Sequence, residues 1–481
     1  MRKDKQAHHR GEAATGQEGH LRGDLTQGPI LRTLVLFSIP ALIGNVLQTV
    51  GGSINAVWVA QLLGESAVAA TANANMIMFL MFGTVFGFGM ATTIRIGQHY
   101  GARDIDGARR NFGAGIGFCT GLALVIAVLG WFFAEPVLKL MATPPEAHDQ
   151  ALAYLRITFL SMPFSSLSMM VSTGLRGAGD ATTPMASMIL SVVIGAALNP
   201  VLIAGLGPIP ALGIGGSALA GAIASLAGAV LMIATIYVRD LPLRLRGREL
   251  AYLLPGRDEL SFMVMKGLPM GAQTLLSSAA GLIMVGLVNR EGMTATAAYG
   301  AVMQLWNYIQ MPAFAVGTAV STMVAQNVGA QQHDRVGRIT GAGIGAVLAV
   351  TAVVMVPMLL FDRPMLALFL GVSGGHSVDL ARHIQLVCTW SFLLTGTMMV
   401  LFSTMRAYGA VVAPLIIMFV AMYPGRLGFY YLAYPFIGSE ALWWSYVAGS
   451  VFSAALAALF YRHGPWRAVR SAAMRPAPDP A

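Results

Sequence analysis

Charge is what this sequence has least of. Asp, Glu, Lys and Arg make up only 11% of its 481 residues, less than half the roughly 25% of a soluble domain, which excludes a water-soluble globular fold. Cysteine is nearly absent too. Cys119 and Cys388 both lie in apolar runs, so they read as small buried hydrophobes, not as a disulfide or a metal pair. The first 30 residues hold no short apolar run followed by a cleavage site, and no signal peptide is expected. No nucleotide-binding glycine loop occurs. All nine histidines fall in loops, tails or helix ends, and no acidic residue falls in the middle of an apolar run. A membrane-embedded enzyme needs a clustered constellation of such groups, so neither catalysis nor a cofactor is expected.

What the chain has is apolar length, with 56% hydrophobic residues. Runs of about 20 residues, enough to span a bilayer, fall near 33–59, 67–94, 111–133, 151–173, 183–206 and 215–238. They resume near 262–288, 296–323, 339–361, 383–405, 410–433 and 440–461. An all-α polytopic membrane protein with twelve helices is therefore predicted. Its parts are a disordered tail over 1–29, a first lobe over 30–238, a linker over 239–261 carrying five arginines, a second lobe over 262–462, and a tail over 463–481.

The two lobes are copies. Residues 96–117 and 324–345 align without a gap at an offset of 228, with ten of 22 positions identical. Gln98, Gly101, Ala102, Asp106 and Arg110 pair with Gln326, Gly329, Ala330, Asp334 and Arg338, and GAGIG follows in both. Arg176-x-x-Gly179-x-x-x-x-Pro184 recurs as Arg406-x-x-Gly409-x-x-x-x-Pro414, and Pro40 recurs as Pro269. Small residues matching small residues account for GAGIG, but not for Gln, Asp and Arg in register. Six helices per copy give both the same orientation, which is the parallel repeat of a transporter.

Charge placement fixes the orientation. With the N-terminus inside, 24 of the 30 Lys and Arg residues lie on the inner side and five on the outer, with Arg426 alone inside a span. The positive-inside rule then puts both termini in the cytoplasm and explains the net charge of +9 without nucleic acid. The expected setting is the plasma (inner) membrane. The expected partners are the lipid bilayer and small-molecule substrates, and the expected state is a monomer.

Several stretches resemble the multidrug and toxic compound extrusion (MATE) family of efflux transporters over roughly residues 28–462. They include FSIPALIGNVLQTV, QLLGESAVAA, both Gln-x-x-Gly-Ala motifs, RGAGDATTP, NPVLIAGLGPIPALGIGG and AAYGAVMQLWNYIQMPAFAVGTA. The resemblance implies a V-shaped pair of six-helix lobes around a central cavity that opens alternately to each side. It also implies export of cations or amphipathic drugs in exchange for H⁺ or Na⁺. Where many members carry coupling carboxylates, this chain has Asn55, Asn199 and Ser277, so atypical coupling is expected. A lipid-linked oligosaccharide flippase would favour cavity cations for its phosphates, and only Arg426 is available.

Candidate site residues follow from helical spacing. Asn45, Gln48, Gly52 and Asn55 share one sector of the first helix. Polar groups are costly in lipid, so this face looks inward, either to line a cavity or to bond a neighbouring helix. Asn199 either lines the cavity or caps backbone freed by Pro200. Gln273, Ser277, Gly281 and Met284 share a face of the seventh helix, and Gln304, Asn307, Tyr308 and Met311 one of the eighth. Amides and a Tyr beside Met suit flat, weakly polar ligands, though the same set also makes a polar packing seam. Pro40, Pro269, Gln98, Gly101, Gln326 and Gly329 read as hinges or inner-gate elements, and Arg426 as a structural or gating residue.

Overall fold

The computed structural model describes residues 23–140, 145–205, 210–370 and 375–467 and, among these, holds helices and no strand. That follows from the composition, because a chain in hydrocarbon must satisfy its backbone internally and a helix does so within one segment. The first half holds α1 (Ile30–Leu63), α2 (Glu65–Gly101), α3 (Ile105–Leu140), α4 (Pro145–Gly177), α5 (Thr182–Ala204) and α6 (Ile214–Val238). The second holds α7 (Arg257–Arg290), α8 (Met293–Gly329), α9 (His333–Leu360), α10 (Asp362–Leu370), α11 (Gly375–Cys388), α12 (Ser391–Ala407), α13 (Val412–Val420), α14 (Gly428–Ile437) and α15 (Glu440–His463). A π-helical segment, Ala421–Leu427, joins α13 to α14 around Pro424.

Among the described residues, nine helices are long and apolar enough to cross a membrane, or ten if α11 and α12, bent by 44°, count as one. The helices α2 and α4 are not among them but measure 37 and 33 residues, longer than the ~20 that a bilayer requires.

The first helix of each half packs on the second helix of the other, α1 on α8 and α2 on α7. Backbone contact at the α2–α7 crossing depends on glycine: a Cβ on Gly87 would sit 2.3 Å from Gly271 N. Each half has a core of its own, around Val59, Ala74 and Leu155 in the first and around Val302, Trp306 and Trp443 in the second. A third core belongs to both. It joins Leu34 and Phe37 of α1 and Ile94 of α2 to Val320, Met323 and Val324 of α8 and Phe402 of α12. All of these lie toward the ends of the helices that carry the repeated motifs.

The described segments outside the long helices also make defined contacts. Residues 23–29, part of the tail expected to be disordered, are hydrogen-bonded into the motif-bearing end. The linker forms a 3₁₀ helix, Gly247–Leu253, tied to α3 by Arg109 Nη1 donating to Glu249 at 2.8 Å and Tyr252 O–H to Asp106 at 2.8 Å. Trp466, in the expected C-terminal tail, is buried, and the remainder of both tails lies outside the described residues.

Candidate functional site

The two Gln-x-x-Gly motifs end α2 and α8 and meet each other. A Cβ on Gly101 would lie 1.9 Å from the Gln326 carbonyl oxygen, and one on Gly329 would lie 1.9 Å from that of Gln98. Only glycine permits this approach. The glutamines then cross to opposite halves. Gln98 Nε2 donates to Ala407 O at 2.8 Å, at the end of α12, while Gln326 Nε2 donates to Gly177 O at 3.1 Å, at the end of α4. Both acceptors precede the repeated glycines Gly179 and Gly409, each at φ 85°, which terminate the helices in a left-handed turn. Four helix ends are therefore stitched together about a pseudo-two-fold axis.

One contribution breaks the symmetry. The segment from Gly23 to Gly28 lies across the seam as a strap. Leu25 N donates to Gln326 Oε1 at 2.8 Å, and Asn327 Nδ2 donates to Leu25 O at 3.1 Å. Arg335 Nη2 holds Gln27 O and Gly28 O at 3.0 and 2.7 Å. On the first half, Gly23 lies so close that a Cβ would sit 2.3 Å from Ala178 O. The corresponding turn at Gly409 is met instead by Lys266 Nζ, which donates to Gly409 O at 2.8 Å. Leu25 itself is 6% exposed. Nothing in the polar sequence before residue 30 signals this role, whose contacts are mostly backbone.

The proposed cleft residues separate into two groups. Gln48, Ser277, Gln304, Asn307 and Tyr308 are exposed, and Asn45 and Met311 are half-buried. Gln304, Asn307 and Tyr308 lie on a stretch of α8 whose buried residues Leu305, Trp306 and Ile309 belong to the second half's own core. Gln273 is placed differently. It is 3% exposed, its Nε2 donates to Val411 O at 3.2 Å, and its Oε1 accepts from Arg406. It is a bonded strut within the second half. Pro40 and Pro269 lie inside α1 and α7, where each removes a backbone donor and favours a bend.

Comparison with known proteins gives this arrangement its place. The MatE family model matches the chain twice, over residues 40–201 and 269–432, beginning at the two repeated prolines. The chain belongs to the MatE family. It is 34% identical over 409 residues to the probable multidrug resistance protein YoeA of Bacillus subtilis (strain 168), covering 85% of this chain and 88% of that one. It is 29% identical over 450 residues to the probable multidrug resistance protein YpnP of the same organism, covering 93% and 98%. A solved structure described as the outward-facing conformation of a multidrug resistance MATE family transporter of the MOP superfamily aligns with a TM-score of 0.85. It covers 94% of this chain and 100% of that one at 21% identity, a likeness of fold. The chain is thus a multi-pass membrane protein of a transporter family.

Within this MatE fold, the positions expected to lack carboxylates sit as follows. Asn55 is half-buried and its Oδ1 accepts from Ser217 Oγ of α6 at 2.6 Å. Asn199 is 4% exposed, with Oδ1 finding no donor among the described residues. Of the acidic side chains described, Asp362 is the buried one. It opens α10 outside any span and is paired with Arg382 Nε at 2.7 Å. His383 pairs with Glu440 at 2.9 Å on an exposed surface. Arg426 lies on the π-helical segment, its guanidinium 3.2 Å from the centroid of the Tyr446 ring.

Proposed function

We propose that this MatE-family chain is a secondary-active efflux transporter, exporting amphipathic and cationic small molecules by alternating access across the plasma membrane. Twelve spans in two six-helix lobes, cytoplasmic termini and a monomer complete the reading. The observation that carries it is the reciprocal seal between the Gln98 and Gln326 motifs. Both copies close the same end of the molecule, while Gln48, Gln304 and Tyr308 stay uncovered toward the other end. A transporter that rocks two repeats about a midplane site needs such a self-complementary gate. The reading takes the sealed end as cytoplasmic.

Coupling is proposed to be atypical for a cation antiporter. Amides at 55 and 199 retain hydrogen-bonding shape but exchange no proton near neutral pH. The test is efflux of a panel of cationic dyes from cells with and without the gene, under separate Na⁺ and H⁺ gradients. Expected is gene-dependent efflux with weak dependence on either gradient. Equal dye retention in both strains would sink the reading.

A further inference from the structure

Nearly every buried polar group in a folded protein has a partner, so the exceptions deserve a chemical question. Three such atoms of the second half stand around one ring. Arg426 Nε and Nη2 are screened from solvent and meet no acceptor among the described residues, and neither does Trp306 Nε1. The Arg426 guanidinium covers the Tyr446 ring, and the Tyr446 hydroxyl is bonded to that of Tyr299. The Trp306 ring lies 5.1 Å from Tyr446 and 6.0 Å from Tyr299. Two hydroxyls sharing one bond leave a further proton to donate. Among the described residues no carboxylate forms an ion pair with Arg426. The cluster is rich in donors and poor in acceptors.

Which of the arginine donors are idle narrows the ligand. Nε–H and one N–H of Nη2 point in parallel along one edge of the guanidinium, the fork that grips a planar oxyanion with two bonds. The π-helical turn carrying Arg426 is a rare form, frequent at functional sites. A half-buried cation in a span with no ion-pair partner is costly, and a ligand that brought the missing charge would relieve that cost.

We propose that Arg426 is a substrate subsite for a carboxylate group, gripped side-on by Nε and Nη2, with the half-buried Tyr446 ring beside the ligand's apolar part. The inference rests on the efflux reading and narrows it, because the favoured cargo becomes an aromatic zwitterion or anion.

The test is equilibrium binding of a xanthene dye with a free carboxylate, and of its methyl ester, to the purified full-length protein. Wild type is expected to hold the free acid at least about tenfold tighter, the scale of a charge-assisted bidentate pair. Arg426→Gln is expected to erase that preference and leave ester binding unchanged. Arg426→Lys keeps the charge without the fork and is expected to retain only part of it. Should Arg426→Gln fail to accumulate, the lysine variant decides, and an undiminished preference there overturns the subsite. Equal binding of acid and ester by wild type overturns it as well, as does an equal loss of both in Arg426→Gln. Dye transport without acid preference would leave efflux standing and remove the subsite. Acid preference without transport of either dye would do the reverse.

Discussion

Gly101 rests on the backbone of Gln326 so closely that a single added carbon would lie 1.9 Å from its carbonyl oxygen. Gly329 repeats the contact against Gln98 from the other half. Because both contacts lie between the halves, Gly101→Ala and Gly329→Ala should oppose closure of this end far more than they disturb either half. Overpacking costs about 1–3 kcal/mol, and a value near the low end, about 1.4 kcal/mol, is already a tenfold shift in a two-state equilibrium. Alkylation of an Ala325→Cys reporter, at a position buried beside Gly97, should therefore speed up by about tenfold or more in either alanine variant. An unchanged alkylation rate would show that the seam tolerates the extra carbon and does not gate.

Gln98 and Gln326 are matched in sequence but not in connections. Gln98 makes one cross-half bond, to Ala407, whereas Gln326 bonds Gly177 and also holds the strap at Gly23 and Leu25. Leaving a buried group unpaired costs about 1–3 kcal/mol. Gln326→Ala is expected to loosen the seal more than Gln98→Ala, read by the same reporter. Deleting residues 1–28 should loosen it too, yet add little in the Gln326→Ala background, since the strap acts through that side chain. Full additivity of the two changes would disconnect the strap from the gate.

Much of this was legible in the sequence, and the physics says why. The offset of 228 exposed the repeat, and the apolar runs located the helices, because lipid leaves the backbone no other choice. Helical spacing also grouped Gln304, Asn307 and Tyr308 on one exposed face. It could not say what stands opposite a face. Gln273 and Ser277 are one turn apart, yet the first is buried against Val411 and the second exposed. The strap was invisible because its bonds run mostly through backbone atoms of Gly23, Leu25, Gln27 and Gly28, which carry no side-chain pattern. The Arg426 cluster joins α8, α15 and the π segment, and only tertiary packing brings residues 299, 306, 426 and 446 together.

Tyr308 offers a test of the proposed cleft that is independent of the proposed gate. It is 48% exposed on α8, and an aromatic face attracts organic cations by about 0.5–1 kcal/mol at such a site. Tyr308→Ala should change efflux of flat cationic dyes two- to fivefold relative to non-aromatic ones, with little change in protein abundance. A variant that merely fails to accumulate, or that lowers every dye equally, would take Tyr308 out of the pocket.

The coupling prediction turns on Asn55 and Asn199. Asn55 Oδ1 already accepts the Ser217 hydroxyl at 2.6 Å, so an Asp there keeps the same bond and adds an exchangeable proton. Asn199 is more deeply buried and its Oδ1 has no donor among the described residues, so an Asp at that position must hold its proton or find a cation. Reconstituted transport driven by a pH gradient without Na⁺ separates the cases. Wild type is expected to respond weakly, because an amide is not an acid near neutral pH. Asn55→Asp is expected to gain a proton dependence of severalfold, with Asn199→Asp gaining less or losing stability, as a newly buried acid costs more than an amide. Strong proton-driven exchange by wild type, abolished by Asn55→Ala, would mean that the proton path runs through this helix without a carboxylate. The atypical-coupling reading would then be replaced by one in which Asn55 and Ser217 order the path.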